Sequence, residues 1–136
     1  MKRYQFSPFR WFRFIQSDPR YRNGTTHERR MIELKVSAAY AVRSLRVRKQ
    51  LTQHELAQLL GVSQARVSKL EQIKPGVSLD QYVEALLALG ANDEEIARAL
   101  NAGDCNPVKA LRARAALPYY PKAWDKRPVN VGASLP

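Results

Sequence analysis

Acidic residues are scarce in this chain: 12 Asp and Glu stand against 23 Lys and Arg, for a formal net charge of +11 over 136 residues. An excess of that size points to a polyanionic partner, either nucleic acid or an anionic membrane surface. There is one cysteine, Cys105. It can form no internal disulfide, so a reducing, cytoplasmic setting is expected, with Cys105 a spare loop thiol. No apolar run approaches the roughly 18–20 residues of a membrane span. The N-terminal MKRYQFSPFRWFRFIQS lacks an uninterrupted apolar core, so it does not read as a signal peptide. The two histidines, His27 and His54, lie far apart. With no metal-ligand spacing and no Gly-rich phosphate loop, the sequence supports no enzyme, no metal and no cofactor. Hydrophobic residues at 45% and charged residues at 26% are those of a globular chain.

The charge is spread unevenly. Residues 1–50 carry 13 Lys/Arg and three acids, residues 51–104 carry four and eight, and residues 105–136 carry six and one. Residues 1–36 read as a basic arm with interleaved aromatics: Tyr4, Phe6, Phe9, Trp11, Phe12 and Phe14. Ser7-Pro8 could open a short helix there. Residues 31–36 alternate apolar and polar, the period of a short strand, although a helical extension into the next segment also fits. Residues 118–136 hold four of the eight prolines and read as an extended tail.

The domain expected over 37–104 is all-helical. Ser37 is placed as the cap of a first helix, about 38–49, with Ala38, Ala41, Val42 and Leu45 inward. Thr52 and Glu55 form a capping box that opens a helix over about 53–60, closed by Gly61. Ser63 caps a third helix, about 64–71, with Val67 and Leu70 inward. A fourth helix starts at Ser78, with Leu79, Val83, Leu86 and Leu87 at helical spacing. Asn92 and Glu95 open a fifth, with Ile96, Ala97 and Leu100 inside. Asn106-Pro107 opens an extra helix within 105–117.

Residues 51–71 carry the functional signal. Two short helices meet across a three- to four-residue turn. Ala57 is small where they approach, Gly61 accepts the turn's backbone angle, and Val62 plugs the corner. The outer face of 63–69 is polar: Ser63, Gln64, Arg66, Ser68 and Lys69. Glutamine can bond an adenine edge and Arg or Lys a guanine edge. The arrangement predicts a helix-turn-helix that lays its second helix in the major groove of DNA.

The segments Leu-Thr-Gln-His-Glu-Leu-Ala (51–57), Gly-Val-Ser-Gln (61–64), Val-Ser-Lys-Leu-Glu (67–71) and Ser-Leu-Asp-Gln-Tyr-Val-Glu-Ala-Leu-Leu-Ala-Leu-Gly (78–90) resemble the phage Cro and lambda-type repressor class of helix-turn-helix proteins. This is the XRE class, which includes antitoxins of toxin-antitoxin pairs. The resemblance implies a five-helix domain with 64–71 as recognition helix. It implies base contacts from Gln64, Ala65, Ser68 and Lys69, and base or phosphate contacts from Ser63 and Arg66. Phosphate contacts are expected from Gln53, Lys74, Arg43 and Lys49. Arg46 and Glu71 fall where the class places an internal salt bridge. One position departs: the class has a glycine two residues after Glu71, and here stands Ile73. A β-branched residue resists the left-handed conformation, so a different helix end is expected, which weakens the assignment of Lys74.

These features predict a homodimeric regulator, a repressor, on double-stranded DNA. The alternatives are an antitoxin that binds a toxin protein, a partitioning protein of the ParB type, and an RNA-binding protein. Residues 93–116 faintly repeat 55–70, as a second helix-turn-helix would. The plainer reading, a fifth helix followed by a tail or dimerisation helix, is preferred.

Overall fold

The computed structural model describes residues 19–74 and 76–115. The aromatic stretch of 4–14 and the tail of 118–136 lie outside the described residues. Among the described residues seven α-helices follow one another: α1 (Pro19–Asn23), α2 (Thr26–Arg48), α3 (Gln53–Leu60), α4 (Gln64–Glu71), α5 (Leu79–Ala88), α6 (Asp93–Ala99) and α7 (Asn106–Ala115), with a 3-10 turn at Ala102–Asp104. Among the described residues there is no strand. The fold is all-α, as the periodicity predicts.

The first domain helix starts well before Ser37. Thr25 caps it: its hydroxyl accepts from the Glu28 backbone N–H at 3.1 Å, and Glu28 closes a capping box. The helix then runs unbroken through 31–36, where the alternating pattern had suggested a strand. The pattern misled because α2 is covered on several sides at this level. Glu33, Val36, Ser37, Ala38 and Ala39 are all buried there, so polarity no longer marks the exposed face. The boundary expected between 36 and 37 falls inside this helix. Ser37 is buried within it and donates its hydroxyl hydrogen to the Ala99 carbonyl at 2.6 Å, tying α2 to the end of α6.

The core is built around α2, which packs against α5, α4, α6 and α7. Val36, Ala39 and Val42 meet Leu56, Val67, Leu86, Val108 and Leu111 in one buried cluster. The predicted inner faces hold for Ala38, Val42 and Leu45, with Ala41 half-buried, and for Val67 and Leu70; on α3, Leu56 and Ala57 are buried. On α5 the face is rotated from the predicted one. Tyr82, Ala85, Leu86 and Leu89 are buried, whereas Leu87 is 58% exposed. Tyr82 can be fully buried because its hydroxyl donates to the Leu70 carbonyl at 2.7 Å, and burial raises the phenol above its ordinary pKa. On α6, Ala99 rather than Ala97 turns inward. Cys105 is buried where α7 begins, and burial pushes its thiol pKa up.

Past its C-cap Lys49, α2 closes on Gln50 at φ +60°. Gln50 N–H donates to the Val47 carbonyl and Leu51 N–H to the Arg46 carbonyl, at 2.9 and 3.0 Å. A left-handed residue costs about 1–2 kcal/mol when it is not glycine. Glycine there gives back about 0.5–1 kcal/mol in chain entropy. Gln50 is exposed, so its side chain offers little to lose. Gln50→Gly is expected to stabilise the fold by about 0.5–1 kcal/mol, read as a raised midpoint in urea unfolding with an unchanged slope. A lowered midpoint would refute it.

Candidate nucleic-acid interface

Helices α3 and α4 form the predicted motif. Thr52 caps α3 through a complete box: its hydroxyl accepts from Glu55 N–H at 3.0 Å, and its own N–H donates to Glu55 Oε1 at 2.9 Å. The bond from the Thr52 backbone N–H, followed by a bond from the Thr52 side chain, holds the Glu55 carboxyl below the usual carboxylate pKa. Gly61 ends α3 at φ +69°, and Val62 sits half-buried at the corner. Ser63 then caps α4 by accepting from Arg66 N–H at 3.2 Å.

At about 100° per residue, Val67, Leu70 and Glu71 share one side of α4, and all three are buried. Gln64, Ala65, Ser68 and Lys69 fall within an arc of about 140° on the other side. Gln64, Ala65, Arg66 and Lys69 are exposed, while Ser68 is half-buried and its hydroxyl accepts from Gln72 Nε2 at 3.1 Å. Arg66 and Lys69 also line an open cleft between α4 and the 76–81 segment, whose far wall includes Val77 and Gln81.

Arg46 and Glu71, each 1% exposed, form a two-point ion pair. Arg46 Nε donates to Glu71 Oε2 at 2.6 Å and Nη2 to Oε1 at 2.9 Å. Its remaining nitrogen, Nη1, donates to the Leu51 carbonyl at 2.7 Å. One guanidinium therefore fastens α2, the turn before α3, and the end of α4.

The residues expected at phosphates are placed in different ways. Gln53, half-buried, donates from Nε2 to Glu71 Oε1 at 3.2 Å. Arg43 also reaches Glu71, with Nε 3.9 Å from Oε1, and its side chain is only 15% exposed. Both belong to the shell of the buried pair in this structure. Lys49 is exposed, and its Nζ lies against Gly90, just past the end of α5. A cation there meets the negative end of the helix dipole. Lys74 is half-buried at the close of α4.

That close keeps the usual geometry, against expectation. Ile73 adopts φ +57°. Its N–H donates to the Leu70 carbonyl at 3.2 Å and Lys74 N–H to the Lys69 carbonyl at 3.1 Å, the paired bonds of a Schellman motif. Two backbone bonds and a half-buried side chain packed on the core oppose the strain of a β-branched residue there.

One group of residues escaped the sequence reading. Glu33, buried on α2, accepts from Tyr21 Oη at 3.0 Å, from Arg30 Nη1 at 3.1 Å, and from Arg112 Nε and Nη2 at 3.0 and 2.7 Å. It joins α1, α2 and α7. Burial alone would raise this carboxyl, but the bonds from Arg112, Tyr21 and Arg30 outweigh it and hold Glu33 below its ordinary pKa. Burial, together with the neighbouring Glu33 charge, pushes Tyr21 up to about 12. The available signal was a lone acid within a basic stretch.

An exposed polar helix, seated by buried residues and joined by a tight turn to a capped helix of the same length, defines the class of DNA-binding helix-turn-helix domains. Residues 39–99 match the family described as Helix-turn-helix domain, and the chain carries such a domain. Neither the curated proteins nor the solved structures gave a match. A domain of this kind supports DNA binding. Among the described residues, no cluster of three His, Cys, Asp or Glu could hold a metal ion. No described helix is long and apolar enough to cross a membrane.

Proposed function

We propose that the protein is a sequence-specific transcriptional regulator, a repressor that binds double-stranded DNA as a homodimer. Gln64, Ala65, Ser68 and Lys69 face base edges, with Ser63 and Arg66 at bases or phosphates. The observation that carries the reading is the division of α4: an exposed polar arc opposite Val67, Leu70 and the buried Glu71. A helix that met only water would need no such rigid seat. In a dimer, two copies of α4 enter grooves about one turn, roughly 34–36 Å, apart.

Selection of bound duplexes from a random pool tests the reading. A palindromic site with that spacing is expected. Gln64→Ala and Lys69→Ala should each relax preference at one base position by about 1–3 kcal/mol, the worth of a two-point contact. Uniform weakening on all sequences would overturn the assignment.

The antitoxin alternative differs by adding a protein partner. It is favoured if a toxin encoded beside this chain co-purifies with it.

A further inference from the structure

The acidic character of the helix-turn-helix region raises the question of where the grip on DNA comes from. Residues 51–104 carry four Lys/Arg and eight acids, whereas residues 19–35 and 106–115 together carry eight Lys/Arg and two acids. Far apart in sequence, these two basic segments meet in space, because α7 packs on the N-terminal half of α2 and Arg112 closes on Glu33. Of the two acids, Glu28 is engaged in the cap of α2 and Glu33 is buried beneath Arg30 and Arg112. One carboxylate thus faces two guanidiniums, whose side chains stay 53% and 41% exposed. Lys109 is exposed three residues before Arg112 on α7. Arg29, the residue before Arg30, lies 5.9 Å from the Tyr21 ring centroid and donates to the Arg22 carbonyl.

We propose that α1, the N-terminal half of α2 and α7 form a second, sequence-independent binding surface for the phosphate backbone of duplex DNA, with Arg30, Arg112 and Lys109 at its centre. The proposal rests on the reading of α4 as the groove-reading helix. Arg30 precedes Arg46 by 16 residues on one unbroken helix, a separation of about 24 Å at 1.5 Å per residue. That is less than one turn of DNA, about 34 Å. Phosphates flanking the bases that α4 reads therefore lie within range. Glu33 fixes the guanidiniums without neutralising the cluster, and preorganised cations at a partly exposed site are what counter-ion release rewards.

The experiment measures the salt dependence of binding to a generic 30-base-pair duplex by fluorescence anisotropy, with the full chain. Each cation withdrawn from a phosphate should reduce the slope of log K against log salt by about 0.9. Arg30→Gln/Lys109→Gln is expected to reduce it by about 2. Lys109→Glu alone, which leaves every partner of Glu33 in place, should reduce it by about 1 with an unchanged thermal melt. An unchanged slope in Lys109→Glu overturns the proposal. So does a weakening confined to binding of anionic phospholipid vesicles or structured RNA. The selected site separates the two readings. A reduced slope in a protein without base preference removes the role of α4 and leaves this surface. Intact base preference with an unchanged slope removes this surface alone.

Discussion

Replacing Arg46 with Met is expected to cost about 3–5 kcal/mol of stability, because it strands the Glu71 carboxylate in a buried site. Glu71 would lose its bonds of 2.6 and 2.9 Å to the guanidinium, while Gln53 at 3.2 Å and Arg43 at 3.9 Å stay beside it. The Leu51 carbonyl would also lose its donor. For a folded unit of this size, each kcal/mol corresponds to about 4–8 °C in the midpoint, so a fall beyond about 12 °C is expected in a thermal melt. The double variant Arg46→Met/Glu71→Leu should recover much of this, since apolar residues of similar volume often replace a buried pair at little cost. The double-mutant cycle then gives the coupling directly. If the double variant also retains base preference, Arg46 serves the fold and not the DNA. A loss of affinity in Arg46→Met without a change in the melt would assign it to DNA instead.

The second large effect is expected at Glu33. Glu33→Gln should cost about 1.5–3 kcal/mol, the range for hydrogen bonds to a charged group, tempered by the exposure of Arg30 and Arg112 to solvent. Its pH dependence has a definite sign. The folded-state pKa of Glu33 lies below its ordinary 4.5. Its contribution is therefore present above that value and is lost as pH falls through the folded pKa. Tyr21 shifts the other way, from 10.0 to about 12, so its contribution is present below pH 10 and is lost as pH rises through about 12. Melts across pH should show a flattened acid limb in Glu33→Gln and a flattened alkaline limb in Tyr21→Phe. The acid limb will not vanish, because Glu55 and Glu95 are also held low by their capping bonds. Limbs identical to those of the unaltered chain would refute the linkage.

What could be read from the sequence was what local rules govern. Capping boxes at Thr52 and Asn92, the left-handed Gly61 and the apolar phase of α3 and α4 each depend on residues within one or two turns. These fix the motif and its polar face. What escaped depends on partners distant in the chain. The strand-like alternation of 31–36 is overridden because α7, at 106–115, covers α2 at this level. The burial of Tyr82 rather than Leu87 depends on a carbonyl 12 residues away. The left-handed Ile73 contradicts a sound local preference, and tertiary packing outweighs it.

The ion pair between Glu33 and Arg112 spans 79 positions, and that span has a temporal side. A ribosome adding about 5–20 residues per second needs roughly 4–16 s to go from one to the other. Through that interval the helix-turn-helix can assemble around the C-terminal half of α2, while the N-terminal half waits with its carboxylate hydrated and its apolar stripe uncovered. The order of synthesis thus makes the helix-turn-helix end of the fold the early product, and the α7 clasp a later step.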